Sequence, residues 1–189
     1  MTDITVRVLQ EQDWQIYRDV RLSALGDSPD AFAASAAQER QFDEDFWRRR
    51  LVRSRRMVAE SSGEVVGVVS VGRPSEEDPR NCEMFGLWVR PELRGQGVAW
   101  KLVQAGVSQA RTDSFGFVIY WVSTENGRGV AFASSFGFRP TDARRAMKVT
   151  GSPEDANTSD ADESGEEEHE MGMIYALGED PGTVPSSML

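Results

Sequence analysis

The chain has 189 residues, of which 39% are hydrophobic and 28% charged, as in an ordinary soluble globular domain. Its single cysteine, Cys82, excludes an internal disulfide framework and is typical of a reducing compartment. The sequence lacks a run of about twenty apolar residues, and its N-terminal residues lack the features of a signal peptide. We therefore expect a cytoplasmic protein without a membrane partner, with one domain over residues 1–178 and a flexible tail over 179–189.

The formal net charge of −10 is concentrated in one segment. Nine carboxylates and no Lys or Arg lie between residues 154 and 170, which leaves 22 acidic against 21 basic residues elsewhere. Because nucleic-acid backbones require clustered Lys and Arg, we expect no nucleic-acid partner. Residues 150–170 are too polar to pack a core, so we expect a mobile loop there. It is either a solvated tether or a segment that attracts cationic amines.

Hydrophobic periodicity predicts a succession of strands and helices. The first half contains a strand over residues 4–9, helices over 13–25 and 36–52, and strands over 57–60 and 65–71 that form a hairpin. The second half contains strands over 83–89 and 117–122, helices over 97–111 and 129–136, and final strands over 145–149 and 171–177. Gly86 indicates a bulge in its strand. This order predicts a mixed α/β layer fold with one parallel crossover.

Two arginines of the helix over 13–25, Arg18 and Arg21, fall on its apolar side, which is unusual for long cations. Two interpretations stay open. One arginine pairs with a carboxylate beneath the helix, or Arg21 binds an anionic group of a substrate. The other clustered bases, within residues 48–56, end one helix and open a strand, where cations complement the helix dipole.

The most informative segment joins the strand over 83–89 to the next helix. After Pro91 the chain has the spacing Arg94-x-x-Gly97-x-Ala99. Gly95 and Gly97 allow the backbone to approach a ligand closely. The unpaired amides at a helix N-terminus favour an anion such as phosphate. An ordinary glycine-rich turn is the alternative interpretation.

This strand, loop and helix resemble the acyl-CoA pyrophosphate motif of the GNAT superfamily of N-acetyltransferases, and the resemblance extends over residues 4–177. It implies a mixed, mostly antiparallel sheet of about seven strands flanked by about four helices. It also implies acetyl-CoA as co-substrate. The resemblance assigns the pantetheine arm to the backbone amides of Leu87, Trp88 and Val89. It assigns the pyrophosphate to Arg94, Gly95, Gln96, Gly97, Val98 and Ala99.

A second motif is Asn126 followed by a short helix that ends in Gly137-Phe138. It resembles the later GNAT signature, in which the Asn bonds the cofactor, although Asn126 equally suits a helix cap. Many family members carry a Tyr seven residues after the Asn, which reprotonates the leaving thiolate. Here that position is Ala133, which cannot donate a proton. Water, a tyrosine from elsewhere (Tyr120 or Tyr175), or nothing takes its place.

Two further residues are assigned by the resemblance. Glu83 occupies a strand position where several family members carry a catalytic base, and such a base would deprotonate the attacking amine. The alternative for Glu83 is a partly solvated ion-pair partner. Phe32 resembles residues that wall the acceptor site, and it equally suits the core. His169, the only histidine, lies among acids, and the sequence has no His/Cys/Asp cluster spaced for a metal.

These features predict an N-acetyltransferase that moves an acetyl group from acetyl-CoA to a primary amine by direct attack in a ternary complex, since no nucleophile for an acyl-enzyme is evident. The acceptor is a small-molecule amine, or alternatively a protein N-terminus or lysine. A non-catalytic acyl-CoA-binding module is the remaining alternative, because Ala133 lacks the acid. A homodimer stays open.

Overall fold

The computed structural model describes residues 3–29, 35–72, 78–146 and 169–178. Its strands are β1 (Ile4–Val8), β2 (Arg55–Ser61), β3 (Glu64–Gly72), β4 (Asn81–Val89), β5 (Phe117–Ser123), β6 (Arg139–Ala146) and β7 (His169–Ala176). Its α-helices are α1 (Trp14–Asp27), α2 (Ala36–Glu39), α3 (Glu44–Arg53), α4 (Val98–Thr112) and α5 (Gly127–Phe136). Short 3-10 helices precede α1 and α4.

The seven strands form one sheet in the order β1-β2-β3-β4-β5-β7-β6. Neighbouring strands are antiparallel except β4 and β5, which run parallel and are joined by the crossover helix α4. The predicted hairpin of β2 and β3, the single parallel crossover and the mixed α/β fold class are confirmed. No helix in the described parts of the chain is both long and apolar enough to cross a membrane.

The prediction of one continuous helix over residues 36–52 is wrong. The chain forms two helices, because Asp43 is extended and its Oδ1 accepts a hydrogen bond from the Phe46 amide, which starts α3 as a new helix. The N-terminus of α2 is capped in the same way by Ser35. The prediction failed because aromatic residues continue at helical spacing across the break, as they would in one helix.

The predicted start of the sixth strand, at residue 145, is wrong. β6 begins at Arg139, six residues before the predicted start at Arg145, because pairing with β7 rather than apolar content defines it. Its side chains alternate between exposed and half-buried, so it lacks the hydrophobic signal of a core strand. The expected tail and all but the last two residues of the expected mobile loop lie outside the described residues.

The core has a layer on each face of the sheet. α4 covers one face with Val98, Leu102, Val103 and Val107, which pack on Met84, Val69 and Val118. α1 and α3 cover the other face with Tyr17, Trp47 and Leu51, which pack on Val58 and Trp88. Gly106 lets α4 lie close to the sheet, since a Cβ there would meet Met84 Cε at 2.6 Å. Cys82 and Met84 belong to the α4 layer, so Glu83 and Phe85 face the opposite side.

Candidate active site

The parallel strands β4 and β5 separate partway along their length. Their pairing begins at Asn81 with Phe117 and ends at Met84 with Tyr120. One residue later the register between β3 and β4 shifts, and Gly86 has φ of +64°. A bulge with a residue in this conformation bends its strand and re-aims the residues after it. Among the described strands, β4 from Phe85 onward therefore has a neighbour only at its β3 edge, and its other edge faces the gap.

The free edge of β4 leads directly to the glycine loop. Gly95 and Gly97 have φ of +77° and +83°, and a Cβ on either would meet no atom within 4 Å. The positive φ angles therefore require glycine at both positions, and the space in front of these residues is open. Lys101 is the first amide of α4 that donates to a backbone oxygen, that of Gly97. The amides before it, at Val98, Ala99 and Trp100, have no acceptor within the helix.

The side chain of Arg94 braces this loop. Its Nε donates to the Val89 carbonyl at 2.9 Å, and its Nη2 donates to Asp27 Oδ2. The same carboxylate oxygen accepts from Trp88 Nε1 at 2.9 Å. Asp27 thereby ties the last turn of α1 to both the free strand and the loop. Sequence reasoning missed Asp27, because its partners lie more than 60 residues away.

Glu83 lies on the face of the sheet opposite α4, two residues before the pairing with β5 is fully lost. Its Oε1 accepts from Trp121 Nε1 at 2.9 Å and from Arg145 Nη1 at 3.3 Å. Arg145 also pairs with Glu170 and covers the Trp121 ring, with Cζ 4.2 Å from the centroid. The Glu83 side chain is about one-fifth exposed, so water still reaches its carboxylate although it is paired with Arg145. Trp121 and Arg145 are partners that the sequence did not reveal.

Asn126 caps α5, as the capping interpretation predicts. Its Oδ1 accepts from the Gly129 amide at 2.9 Å, and the residue is exposed near the C-terminal end of β5. Bonding of Asn126 to a cofactor stays a prediction. Ala133 points into the α4 layer and is 2% exposed, so the position where relatives place a tyrosine is filled by core packing.

Arg21 pairs with a carboxylate beneath the first helix, as one interpretation predicts. Its Nη2 lies 3.0 Å from Glu39 Oε1, and Arg50 Nη1 lies 3.3 Å from Glu39 Oε2. All three residues are buried. A substrate-binding role of Arg21 stays a prediction. Phe32, the other predicted acceptor residue, lies outside the described residues. The expectation that the bases of residues 48–56 lie at a helix end is incomplete, because Arg50 and Arg56 are buried.

The two tyrosines that could replace the missing acid are neighbours on the α4 face of the sheet. Tyr175 pairs with Val118, two residues before Tyr120, and both rings lie against Phe138. Tyr120 is the last β5 residue that pairs with β4, at the apex of the gap. Burial, followed by the nearby Glu170 charge, raises the pKa of Tyr120 to about 12, so its phenol stays protonated. Tyr175 packs against Phe138 and has Arg111, from the last turn of α4, 5.9 Å from its ring. Tyr175 thus lies level with the pair of Cys82 and Val118, two residues behind the apex of the gap.

Comparisons with known proteins identify the family and the fold that this chain shares with others. Residues 17–138 match the model of the "Acetyltransferase (GNAT) family". Over 87 residues the chain is 33% identical to N-acetyltransferase 8B of Mus musculus, a match that covers 44% of this chain and 37% of that protein. A match to N-acetyltransferase family 8 member 2 of Rattus norvegicus has 32% identity and covers 44% of this chain and 38% of that protein. The matched region thus spans well under half the length of these relatives.

Solved structures share the fold. yncA of Salmonella typhimurium, crystallised with its cofactor acetyl-CoA, superposes with a TM-score of 0.65 at 20% identity, covering 94% of this chain and 96% of that one. A ribosomal-protein-alanine N-acetyltransferase of Brucella melitensis has a TM-score of 0.64 at 20% identity, with coverage of 91% and 99%. An acetyltransferase of the GNAT family from Streptococcus pneumoniae has a TM-score of 0.68 at 12% identity, with coverage of 92% and 99%.

The Asp27 brace predicts a pH dependence of stability. Hydrogen bonds from Trp88, then Ser28 and Arg94, lower the pKa of Asp27 below its ordinary value of 3.8. The stabilisation is therefore fully present above the unfolded-state pKa and is lost as the pH falls through the lower folded-state pKa. We expect Asp27→Asn to lower Tm at pH 7 and the difference from wild type to shrink below about pH 4. Asp19→Asn, at an exposed position of α1, is the control and should leave Tm unchanged. A pH-independent difference for Asp27→Asn would contradict the assignment.

Proposed function

Because the chain belongs to the GNAT acetyltransferase family, we propose that it transfers an acetyl group from acetyl-CoA to a primary amine by direct attack in a ternary complex. The observation that carries the proposal is the continuous path from the free edge of β4 to the first turn of α4, where the amides of residues 98–100 have no acceptor within the helix. A strand edge suits the amides of an extended pantetheine arm, and a helix N-terminus suits a pyrophosphate.

Each part of the coenzyme has a partner along this path. The pantetheine arm bonds to the β4 backbone at Leu87, Trp88 and Val89. The pyrophosphate lies against the amides of Gly95, Gln96, Gly97, Val98 and Ala99, while the Arg94 side chain holds the loop in shape. Asn126 reaches the arm from the opposite side of the gap with its Nδ2 group. The thioester then lies near Gly86, where an amide at the bulge polarises its carbonyl.

Glu83 acts as the base for the amine. An amine must lose a proton before it attacks a thioester, and a carboxylate within reach of one water molecule accepts that proton. Donation by Trp121 and Arg145 occupies Oε1 and fixes the carboxylate, while Oε2 accepts no hydrogen bond from the described residues. Oε2 is therefore the oxygen that receives the proton, directly or through water.

Direct attack is favoured over an acyl-enzyme. Cys82, the single cysteine, is buried and donates to the Phe117 carbonyl at 3.4 Å. Burial, followed by the charges of Asp113 and Glu83, raises the pKa of Cys82 to about 12, so no thiolate forms near neutral pH. Holding amine and thioester together supplies much of the rate enhancement in place of covalent catalysis.

Tyr120 supplies the proton to the leaving thiolate. It lies at the apex of the gap, where the sulfur of the thioester would lie, and it packs against the same core layer that contains Ala133. A phenol whose proton is retained in the resting enzyme is a donor to the strongly basic thiolate formed when the tetrahedral intermediate collapses. Tyr175 pairs with Val118, two residues behind the apex, so we assign the role to Tyr120.

Features of the chain also support two alternative functions. A non-catalytic acyl-CoA-binding module is favoured by Ala133, which lacks a proton. A protein N-terminus or lysine as acceptor would need an open cleft beside residues 28–32 and 150–170, which are mostly outside the described residues. Release of free CoA with a panel of amines separates these outcomes: tight cofactor binding without turnover favours the module.

Coenzyme binding at the glycine loop is tested by thermal shift. We expect acetyl-CoA at about 100 times its Kd to raise Tm by about 5–10 °C. Gly97→Asp places a carboxylate against the pyrophosphate and should remove this shift. Gly97→Asn is the matched control, since Asn has nearly the same size, tolerates positive φ and carries no charge. An equal shift for Gly97→Asp and Gly97→Asn would refute the assignment of the loop.

The role of Glu83 is tested by its amide. Glu83→Gln keeps an acceptor for Trp121 but cannot take a proton, so we expect kcat/KM at pH 7 to fall by about 10²–10⁴-fold. The loss should diminish as the pH rises toward the amine pKa, because the substrate then arrives deprotonated. The acetyl-CoA thermal shift should not change. Glu64→Gln, at an exposed site, is the control, and an unaltered pH–rate profile of Glu83→Gln contradicts the role.

Tyr120→Phe tests the general acid. It removes one oxygen at the apex of the gap, and we expect kcat to fall by about 10²-fold with little change in the acetyl-CoA thermal shift. An acetyl thioester of a more acidic thiol needs no protonation and should restore most of the rate. Tyr175→Phe, which removes the same atom from the neighbouring tyrosine two residues behind the apex, should retain activity. If both variants lose activity equally, Tyr120 is not the acid.

A further inference from the structure

Arg56 is a buried cation with no carboxylate partner among the described residues. It is 3% exposed, and its Nε has no hydrogen-bond acceptor in the structure as described. Its guanidinium lies between two aromatic rings, with Cζ 5.0 Å from the Tyr17 centroid and 4.9 Å from that of Phe85. Ring faces stabilise a cation only partly. Burying a charge without an ionic partner destabilises a fold, so the retention of this arginine indicates a use.

Arg56 lies beside the reacting end of the proposed site. It pairs across the sheet with Ser70, and Ser70 pairs with Phe85. Phe85 is the first β4 residue beyond the last pair with β5, next to the bulge at Gly86. The three side chains thus lie in one row on the face opposite α4. Glu83, the proposed base, is two residues from Phe85 on the same strand and the same face.

The surroundings of Arg56 favour an anion. Burial is the main cause that lowers the pKa of Arg56, and the charges of Arg50, Arg21 and Arg53 lower it further. An anion placed against the guanidinium would offset both effects. A second buried donor, Trp47 Nε1, also has no acceptor among the described residues, and its ring lies 5.7 Å from that of Tyr17. Donors without acceptors are the complement of a carboxylate.

We propose that Arg56 binds a carboxylate of the amine acceptor, so that the acceptor is a small molecule carrying both groups, such as an amino acid. The amine of this acceptor faces Glu83 and the thioester, and its carboxylate faces the Arg56 guanidinium, whose planar fork matches two carboxylate oxygens. The inference rests on the proposed acetyl transfer and adds the acceptor class to it.

Matched acceptors test the inference. Amino acids are compared with their carboxamides, which keep the amine and the side chain but lack the negative charge. We expect wild type to prefer the acids by about 100-fold in kcat/KM, because a buried polar site is left unpaired by the amide. Arg56→Met should reduce this preference to about threefold or less through loss of the acid's rate. Arg55→Met is the control, since the neighbouring Arg55 is half exposed and pairs with Asp113 away from this face.

Stability separates binding from a purely structural role. Met fills the space between the rings without charge, so Arg56→Met should raise Tm by about 3 °C while it abolishes the preference for acids. A structural arginine would give the opposite sign. The inference is overturned if wild type uses acids and amides equally, if Arg56→Met retains the preference, or if its Tm falls.

Separate measurements distinguish failure of the proposed acetyl transfer from failure of the Arg56 anion site. The acetyl-CoA thermal shift should be the same in wild type and in Arg56→Met. If no amine is acetylated, the acetyl-transfer proposal fails, and the anion site is then tested by binding alone. In the presence of CoA, an N-acetyl amino acid should raise the Tm of wild type and not that of Arg56→Met. Its carboxamide should raise neither. No shift in wild type overturns the anion site as well.

Discussion

The early end of the pairing between β4 and β5 is the constraint on which the candidate site depends. Backbone groups that leave a ladder must find other partners, since unpaired buried N–H and C=O groups are costly. Here Gly86 takes a positive φ and the β3 register shifts, so β4 stays bonded to β3 while it turns from β5. The gap is therefore held open by a bulge and does not require a ligand to wedge the strands apart. An extended ligand can complete the interrupted ladder.

The gap can bind a coenzyme only if the glycine loop at its open end has a fixed conformation. That conformation depends on a contact from α1. Asp27 accepts from Trp88 on the free strand and from Arg94 on the loop, so one carboxylate fixes both walls of the path. Arg94 adds a bond to the Val89 carbonyl. The Arg94 side chain therefore fixes the shape of the loop, while the backbone amides remain available for phosphate.

Local signals predicted most of the fold, and non-local contacts account for what they missed. The glycine loop, the hairpin and the crossover are encoded by residues adjacent in sequence, and they were found. The break before α3 depends on one Asp cap inside a periodic aromatic pattern, and β6 is a strand only because β7 lies beside it. The sequence indicated Glu83 and left two tyrosines open. The partners of Glu83, Trp121 and Arg145, come from other strands, and no local sequence pattern relates them to Glu83.

The buried arginines show how packing and function divide the same residue type. Arg21 and Arg50 share Glu39, and a buried ion pair of this kind is retained because removing one partner would leave a charge uncompensated. Arg56 has the aromatic rings of Tyr17 and Phe85 on either side and no such carboxylate in the part of the chain that the structure describes. The fold would be more stable with an apolar residue there, since rings and a methyl thioether pack well. A cation kept in that place, beside the end of the coenzyme gap, is best explained by a carboxylate that arrives with the substrate.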